Sequence, residues 1–524
     1  MKPFSAPLDD ILFSLTHVAG APELPRWDGE LAAEIGSHFA AFAAGQLAPL
    51  NETGDRQGCR LEAGRVCMPD GFKEAFAAYV EQGWPGLSVP EEFGGQGLDA
   101  TVLAIVSEIF TGANHSMQMV AGLVPGAVST LMSFGTREQQ ERYIPPYASG
   151  EALATMCLTE PEAGSDLARI RCRAEPKGNG WVISGEKIFI SGGDQDLSER
   201  IQHLVLARTS DDGVKGLSLF MCPSILMDGS RNPIAVTRIE EKMGLHASPT
   251  CQLAFDGAEA ELIGETGAGL KAMFILMNHA RVDVALQGVA HAARACDIAR
   301  SYAAERVQGR GEDGRPAAID SHADVRRMLD GIDMLALGGR ALAHLTLVTI
   351  EAGKDPDLAE FLKPIVKVYC TEAGMKAAEL GMQVLGGYGY LQEYGLEQIY
   401  RDVRITAIYE GANGIHERAL VTRLLAGSPG KAFEAFVERE CAARQNGGSR
   451  LRDAFSKWRK ARDLVLESAD PTPLAHDFVT VTSGLLLVCL WCRIAEKAGE
   501  HPEPQRIGRL AEKALQGPVF SGLA

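Results

Sequence analysis

Glu410 stands between Tyr409 and Gly411, directly after Ile405-Thr406-Ala407-Ile408 and inside the stretch from Arg401 to His416. Gly411 and Gly414 let the backbone turn tightly there and approach a ligand closely. A glutamate held on such a turn against Ile408 and Tyr409 is partly desolvated. Burial disfavours its charged form, raises its pKa and makes it a stronger base towards a carbon acid. On these residues alone, an exposed loop glutamate is the ordinary alternative. The stretch Met156-Cys-Leu-Thr-Glu-Pro-Glu-Ala-Gly-Ser-Asp166 places Thr159 before Glu-Pro and offers the N–H groups and hydroxyl of Ala163-Gly164-Ser165. Such a loop can hydrogen-bond a pyrophosphate or the edge of a planar heterocycle, although a plain polar β-loop has the same composition. Arg306, in Glu305-Arg-Val-Gln-Gly-Arg310, carries a guanidinium fork that suits a pyrophosphate, while a surface arginine is the ordinary reading. Cys489-Leu-Trp-Cys492 has redox spacing but lies in an apolar helical run, which makes core cysteines of both. His115, His203, His246, His279 and His416 form no metal-spaced cluster, and no metal is assigned.

These stretches need elements to hold them. Residues 1–30 read as an extended arm in which Pro3, Pro7, Pro22 and Pro25 break any helix. Residues 31–150 read as a helical domain. Leu31, Ile35, Phe39 and Phe42 share one face, as do Phe72, Phe76 and Tyr79, and a Gly/Pro-rich loop runs from Gly83 to Gly97. The period then changes. Over 151–265, short runs at 181–184, 187–190, 203–207, 217–220 and 250–255 are separated by turn formers, which predicts a small antiparallel barrel or sandwich with a hairpin turn at Gly185. Over 266–427 the pattern is a helical bundle, with Leu286, Val289, Ala293, Cys296, Ala299 and Ala303 on one face. A second face carries Val366, Cys370, Ala373, Ala377, Leu380 and Val384 and ends at Gly386-Gly387. Within 428–524, residues 428–450 read as a weakly structured junction because of Pro429, Gly430 and Asn446-Gly-Gly-Ser449, and 450–518 as helical.

The chain of 524 residues is long enough for several domains and substantial cores. A net charge of −17 argues against a nucleic-acid surface, which requires a basic footprint. Eleven cysteines, scattered singly apart from Cys489 and Cys492, suggest reduced thiols and a cytoplasmic location, and no signal peptide is visible. The longest apolar run, Gly484 to Cys492, falls short of the ~20 residues that span a bilayer, so no membrane association is expected.

The Met156–Asp166 stretch is similar to the "TEP.AGSD" signature of the acyl-CoA dehydrogenases, a flavoprotein family, and Tyr409-Glu-Gly resembles their catalytic-base segment. Gly185-Glu-Lys-Ile-Phe-Ile-Ser-Gly-Gly193 resembles the family's second flavin segment, with Phe189-Ile190-Ser191 where the family usually has Trp-Ile-Thr. Gln383-Val-Leu-Gly-Gly-Tyr-Gly389 looks like its adenosine and pyrophosphate loop, offered to the cofactor of a neighbouring subunit. The resemblance implies an α+β fold: an N-terminal helical domain, a middle β-barrel or sandwich, and a C-terminal helical bundle with an extra helical tail. It assigns FAD to Met156, Leu158, Thr159, Ser165, Phe189, Ile190, Ser191, Arg306, Gln308, Gln383, Gly386, Gly387 and Asn413, and substrate to Ser165, Asn278, Arg281 and Gly411. One branch of the family draws its base from the helix opened by Asn278-His-Ala-Arg281, at the position that is Ala280 here. An alanine cannot remove a proton, which leaves Glu410.

The reaction implied is α,β-dehydrogenation of an acyl-CoA thioester to a trans-2-enoyl-CoA, with Glu410 taking the α-proton, a β-hydride passing to flavin N5, and the Glu410 N–H supporting the thioester oxygen. An electron-transferring flavoprotein is the implied acceptor, and a homodimer or homotetramer the implied assembly. Phe4-Ser-Ala-Pro-Leu-Asp-Asp, Gly192-Gly-Asp-Gln-Asp-Leu-Ser-Glu199 and Lys242-Met-Gly-Leu-His-Ala-Ser-Pro-Thr-Cys251 resemble the branch of 3-methylmercaptopropionyl-CoA dehydrogenases and related broad-range enzymes. The substrate expected is therefore a short or medium acyl chain, sulfur-containing or not. Ala412 and His416 depart from the Thr and Gln common in that branch, and with Ala412 the Thr hydroxyl that the resemblance places on the flavin is absent. Two alternatives are an acyl-CoA oxidase that passes electrons to oxygen and a flavin-binding relative without this chemistry.

Overall fold

The computed structural model describes residues 2–178, 180–444 and 448–517. They form two compact units. One comprises residues 45–98 and 114–280 and is built around a barrel; the other comprises the described residues of 1–44, 99–113 and 281–524 and is almost wholly helical.

The barrel unit follows from the short apolar runs between turn formers. Seven strands form at Ala152–Cys157, Arg173–Lys177, Gly180–Ser191, Arg200–Arg208, Leu217–Pro223, Ile234–Ile239 and Thr250–Ile263. Gly180–Ser191 runs antiparallel to Thr250–Ile263, Thr250–Ile263 pairs Leu217–Pro223, and Leu217–Pro223 pairs Arg200–Arg208. The Arg173↔Arg208 pairing and the hairpin Arg173–Lys177/Gly180–Ser191 close the ring, so the sheet is a barrel and has no sandwich gap. Its interior holds Cys157, Cys172, Val205, Ala207, Phe220, Cys222, Cys251, Leu253 and Phe255. The expectation of a wholly antiparallel sheet needs correcting, because Ala152–Cys157 lies parallel to Arg200–Arg208. Gly185 is not a hairpin turn either. It lies inside one twelve-residue strand, where a Cβ would sit 2.8 Å from the Cα of Cys172, so the glycine serves a close backbone approach.

In the helical unit the apolar faces read from the sequence form one core. Cys370, Ala373 and Ala377, on the helix Pro356–Leu385, are buried. A Cβ on Gly288 of the helix Gly269–Glu305 would meet the Cys370 carbonyl at 2.2 Å, so the small residues there are needed for helix contact. The helix Gly269–Glu305 gives its residues up to Ala280 to the barrel unit and those from Arg281 to this one.

Two expectations about the ends do not hold. The arm is not extended: Leu8–Phe13 is an α-helix and Ser14–Ala19 continues it as a π-helix, because Pro7 falls at the N-cap, where a missing N–H costs nothing. Residues 428–443 are not a weak junction but the helix Ser428–Ala443, with Pro429 in its first turn; Asn446 and Gly447 lie outside the described residues. The tail is part of the core. Phe433 stacks on Phe361 at 4.6 Å, Trp458 packs edge-on to Phe433 at 5.1 Å, and the Trp458 Nε1–H donates to Thr482 Oγ1 at 3.0 Å. Among the described residues two helices, Ala323–Ala352 and the stretch Thr472–Glu500, are long and apolar enough to cross a bilayer, contrary to the short-run reading, but most of the apolar window of each is buried in this fold.

Buried charges tie the ends together. Arg506 bridges Asp10 and Asp333 at 2.8 and 2.7 Å, His501 reaches Asp10 at 2.9 Å, and Arg340 pairs with Glu108 at 2.6 Å with both side chains wholly buried.

Candidate active site

Glu410 follows the short helical turn Arg404–Ala407 and precedes the helix Asn413–Ala419. Its φ of 54° and the 92° of Gly411 put two successive residues in the left-handed region. That region is open to glycine and costs a residue with a Cβ about 1–3 kcal/mol. The residue is half-buried, but its Oε2 is buried and has no hydrogen-bond partner among the described residues. Burial pushes the carboxyl up to about 7, against the downward pull of the Arg281 and Lys367 charges; Asp283 adds to the rise. The exposed-loop alternative is therefore not what forms. A carboxylate near neutrality can hold a proton or take one, which is what a general base needs.

Around it, the Arg281 Nε–H donates to the Glu410 carbonyl at 3.4 Å. Asn413 donates through Nδ2 to Thr371 Oγ1 and Glu372 Oε1, both at 3.2 Å. Sequence reading assigned no role to Lys367 or His416, nor to the chain of Tyr409, Gln287, Asp283 and Ser107. Lys367 is wholly buried and donates to the Gly411 carbonyl at 2.8 Å and to Asn413 Oδ1 at 2.9 Å. His416 hydrogen-bonds the Glu410 carbonyl through Nε2 at 3.0 Å. Tyr409 donates its hydroxyl to Gln287 Oε1, Gln287 donates to Asp283 Oδ2 at 3.0 Å, and Ser107 donates to Asp283 Oδ1. One signal was available: a lysine beside the apolar stripe of a buried helix must find oxygen partners.

In the barrel unit, Met156 lies in the strand Ala152–Cys157, Leu158 and Thr159 follow it, and the Thr159 carbonyl accepts from the Ile188 N–H at 2.9 Å. A buried pair that no motif announces holds this loop: Lys187 Nζ donates to Glu160 Oε1 at 2.8 Å and to the Leu158 carbonyl at 3.0 Å. The other Glu160 oxygen accepts from the Arg171 N–H at 2.6 Å, so Glu160 organises the turn instead of meeting a ligand. Ser165 is exposed at the turn closed by Glu160 and Ala163. Phe189 sits at a register break in its strand with φ 59° and is 60% exposed, so it is not barrel core. Ser191 is half-buried, and the Ile190 side chain is 1% exposed within the barrel core, which leaves its backbone as the part that can face a ligand. Asn278 is half-buried on the helix Gly269–Glu305.

In the helical unit, Arg306 and Gln308 lie just past that helix, in and beside the hairpin Val307–Arg310/Pro316–Ala318. The Arg306 guanidinium sits over the Tyr388 ring at 5.5 Å, which brings it to the loop after Gln383. Gly386 has φ 61° and ψ −134°, and a Cβ at Gly386 or Gly387 would meet nothing within 4 Å. The loop thus presents open backbone beside a cation, a fitting contact for a pyrophosphate. A displayed aromatic on a strained strand, with Ser191 beside it, fits a planar heterocycle equally well. Among the described residues no group of three or more His, Cys, Asp or Glu is placed to hold a metal ion.

Known proteins sharpen this picture. The chain matches models for the acyl-CoA dehydrogenase N-terminal domain at 30–151, middle domain at 155–258 and C-terminal domain at 267–425. It is 40% identical over 506 residues to the 3-methylmercaptopropionyl-CoA dehydrogenase of Ruegeria pomeroyi, covering 90% of this chain and 86% of that one. It is 33% identical over 472 residues to the broad-specificity linear acyl-CoA dehydrogenase FadE5 of Mycobacterium tuberculosis, covering 83% and 77%. An acyl-CoA dehydrogenase from Bacillus anthracis solved with FAD has the same fold, with a TM-score of 0.78, 21% identity, and coverage of 99% of this chain and 91% of that chain.

Proposed function

The chain belongs to the acyl-CoA dehydrogenase family and catalyses FAD-dependent dehydrogenation of an acyl-CoA, and on that premise we propose that Glu410 is the base that removes the α-proton. The observation that carries this is the Glu410 turn: a buried carboxylate oxygen without a partner, on a strained backbone, with its pKa raised to about 7. The α-proton leaves as Glu410 Oε2 takes it, and the Glu410 N–H is the donor assigned to the thioester oxygen, where negative charge develops. Bound FAD supplies the acceptor for the β-hydride, and the product is the trans-2-enoyl thioester. Arg281 offers its cation and Gly411 its backbone to the substrate. Thr159, Ser165, Phe189 and Ser191 suit the flavin ring and its edge. Arg306, Gln308, Gln383 and the Gly386-Gly387 backbone suit the pyrophosphate of a second copy's FAD.

A second copy is supported by the display of Tyr390 at 80% and Leu391 at 44% exposure next to that loop. The substrate we assign is 3-methylmercaptopropionyl-CoA or another short- or medium-chain acyl-CoA, on the strength of the relative that carries that name. The acceptor we assign is an electron-transferring flavoprotein, and the free state of all eleven cysteines supports a cytoplasmic location.

The test is anaerobic addition of 3-methylmercaptopropionyl-, butyryl-, octanoyl- and palmitoyl-CoA to the wild type and to Glu410→Gln while flavin absorbance is followed. One substrate should bleach the wild type and bind the variant without bleaching it; equal bleaching of the two would remove Glu410 from the mechanism. Hydrogen peroxide formed at the rate of turnover in air would replace the flavoprotein acceptor with oxygen.

A further inference from the structure

Something must hold Glu410 and Gly411 in two consecutive left-handed conformations, because the first of these residues resists it. The contacts that do so come from outside the turn. The Glu410 carbonyl accepts from His416 Nε2–H at 3.0 Å and from Arg281 at 3.4 Å. The next carbonyl, that of Gly411, accepts from Lys367 at 2.8 Å. Lys367 also holds Asn413 Oδ1, and Asn413 is in turn tied to Thr371, one helical turn along from Lys367. The imidazole lies so close to Gly411 that a Cβ there would be 2.8 Å from Nε2. Gly411 is thus demanded twice, by its φ and by the ring against it.

We propose that Lys367 and His416 are positioning residues: together they lock the 410–413 turn in the conformation that aims the Glu410 carboxylate, His416 at its first carbonyl and Lys367 at its second. The inference rests on Glu410 being the base. His416 works as a neutral donor. Burial, with the Arg281 and Lys367 charges nearby, holds its pKa down to about 4, so the ring brings a hydrogen bond without a second charge. Lys367 works with its charge as well. Burial pulls its pKa down to about 7 while the Glu410 and Glu372 charges pull it up, and its cation lowers the proton affinity of Glu410. The titratable and charged groups facing this turn are Arg281 and Asp283 from one helix, Lys367 and Glu372 from a second, and His416 from a third, with Glu360 acting on Arg281.

The experiment compares Lys367→Met, Lys367→Arg, His416→Phe and His416→Gln as FAD-loaded proteins. It measures the limiting rate of flavin reduction from pH 5.5 to 9, FAD content and urea midpoint. Lys367→Met should slow reduction by about 10–100-fold and move the acid limb of the profile up by about one pH unit, since the cation that favours the carboxylate is gone. Lys367→Arg should keep the limb in place and recover part of the rate. His416→Phe should slow reduction about tenfold with the limb unmoved, and His416→Gln, which keeps a donor, should recover most of it. Rates within twofold of wild type in both Lys367→Met and His416→Phe would overturn the proposal. So would equal losses in each conservative pair that follow the urea midpoint, because those report folding alone. If Lys367→Met yields no folded protein, the two His416 variants and Lys367→Arg decide the matter by the same criteria. Glu410→Gln separates the premises. If it reduces normally, the base assignment fails; if it is inert while the four variants are normal, only the brace fails.

Discussion

Asp10 and Glu410 both belong to the helical unit, and their surroundings treat the two carboxyls in opposite ways. Asp10 is surrounded: burial alone would push its carboxyl up, but hydrogen bonds from His501 and Arg506 and the Arg340 charge hold it well below the usual carboxylate range. Glu410 has burial with too few partners. Arg281 donates to its backbone carbonyl, Lys367 is spent on Gly411 and Asn413, and Oε2 has no hydrogen-bond partner among the described residues. The same ingredients give a fastener in one place and, in the other, the group proposed as the base. The difference is where the donors point. Satisfied buried charges hold elements together, whereas an unsatisfied one stores the desolvation that reactivity draws on.

Removing the Glu410 carboxylate has the largest effect on this contrast. Glu410→Gln should lower the rate of flavin reduction by about 10²–10⁴-fold, as loss of a general base does, while FAD stays bound; single-turnover absorbance measures it. Next comes Glu108→Leu, which takes from the wholly buried Arg340 guanidinium its nearer carboxylate and leaves it only Asp10 at 3.5 Å among its ion pairs in the described residues. Breaking a buried pair from one side should cost about 3–5 kcal/mol, read as a lower urea midpoint with unchanged chemistry per bound FAD. A normal midpoint would show that the network contributes no stability.

The third prediction sets the two carboxylates against pH. The folded pKa of Glu410 is raised, so the folded state binds more protons than the unfolded one between about pH 4.5 and 7, and this group makes stability fall as pH rises through that window. Asp10, with its folded value depressed, contributes stability that is full above its ordinary value near 3.8 and is lost as pH falls. Thermal melts from pH 3 to 8 should show Glu410→Gln gaining on the wild type as pH rises to 8, and Asp10→Asn losing most at neutral pH and least at pH 3. Parallel curves would sink both assignments. The smallest expected effect is that of Phe189→Ala: a ring 60% exposed supports little, so stability should change by no more than about 0.5 kcal/mol while FAD is held more weakly.

Much of the fold was legible because period and punctuation carry it. The stripe Val366, Cys370, Ala373, Ala377 lies buried on one helix, and the change to short runs after residue 150 is the barrel. The ends were misread where a rule about one residue was applied without its position. Pro7 and Pro429 break a helix interior but open a helix, and only the neighbours of each decide which. Gly185 looked like a turn because a turn and a close approach to Cys172 ask for the same residue. In the site, Glu410, Gly411 and Arg281 could be named from their motifs. Lys367 could not be joined to them, since 44 residues of chain separate it from Gly411.

Residue type, spacing and local period are enough to mark which residues can do chemistry, where helices give way to strands, and which family the chain joins. Which carboxylate is satisfied and which keeps an unpaired oxygen among the described residues is settled by tertiary packing. Asp10 meets Arg506 across 496 positions and Glu410 meets Arg281 across 129, and a pKa is set by what surrounds the group in space, which local sequence does not encode.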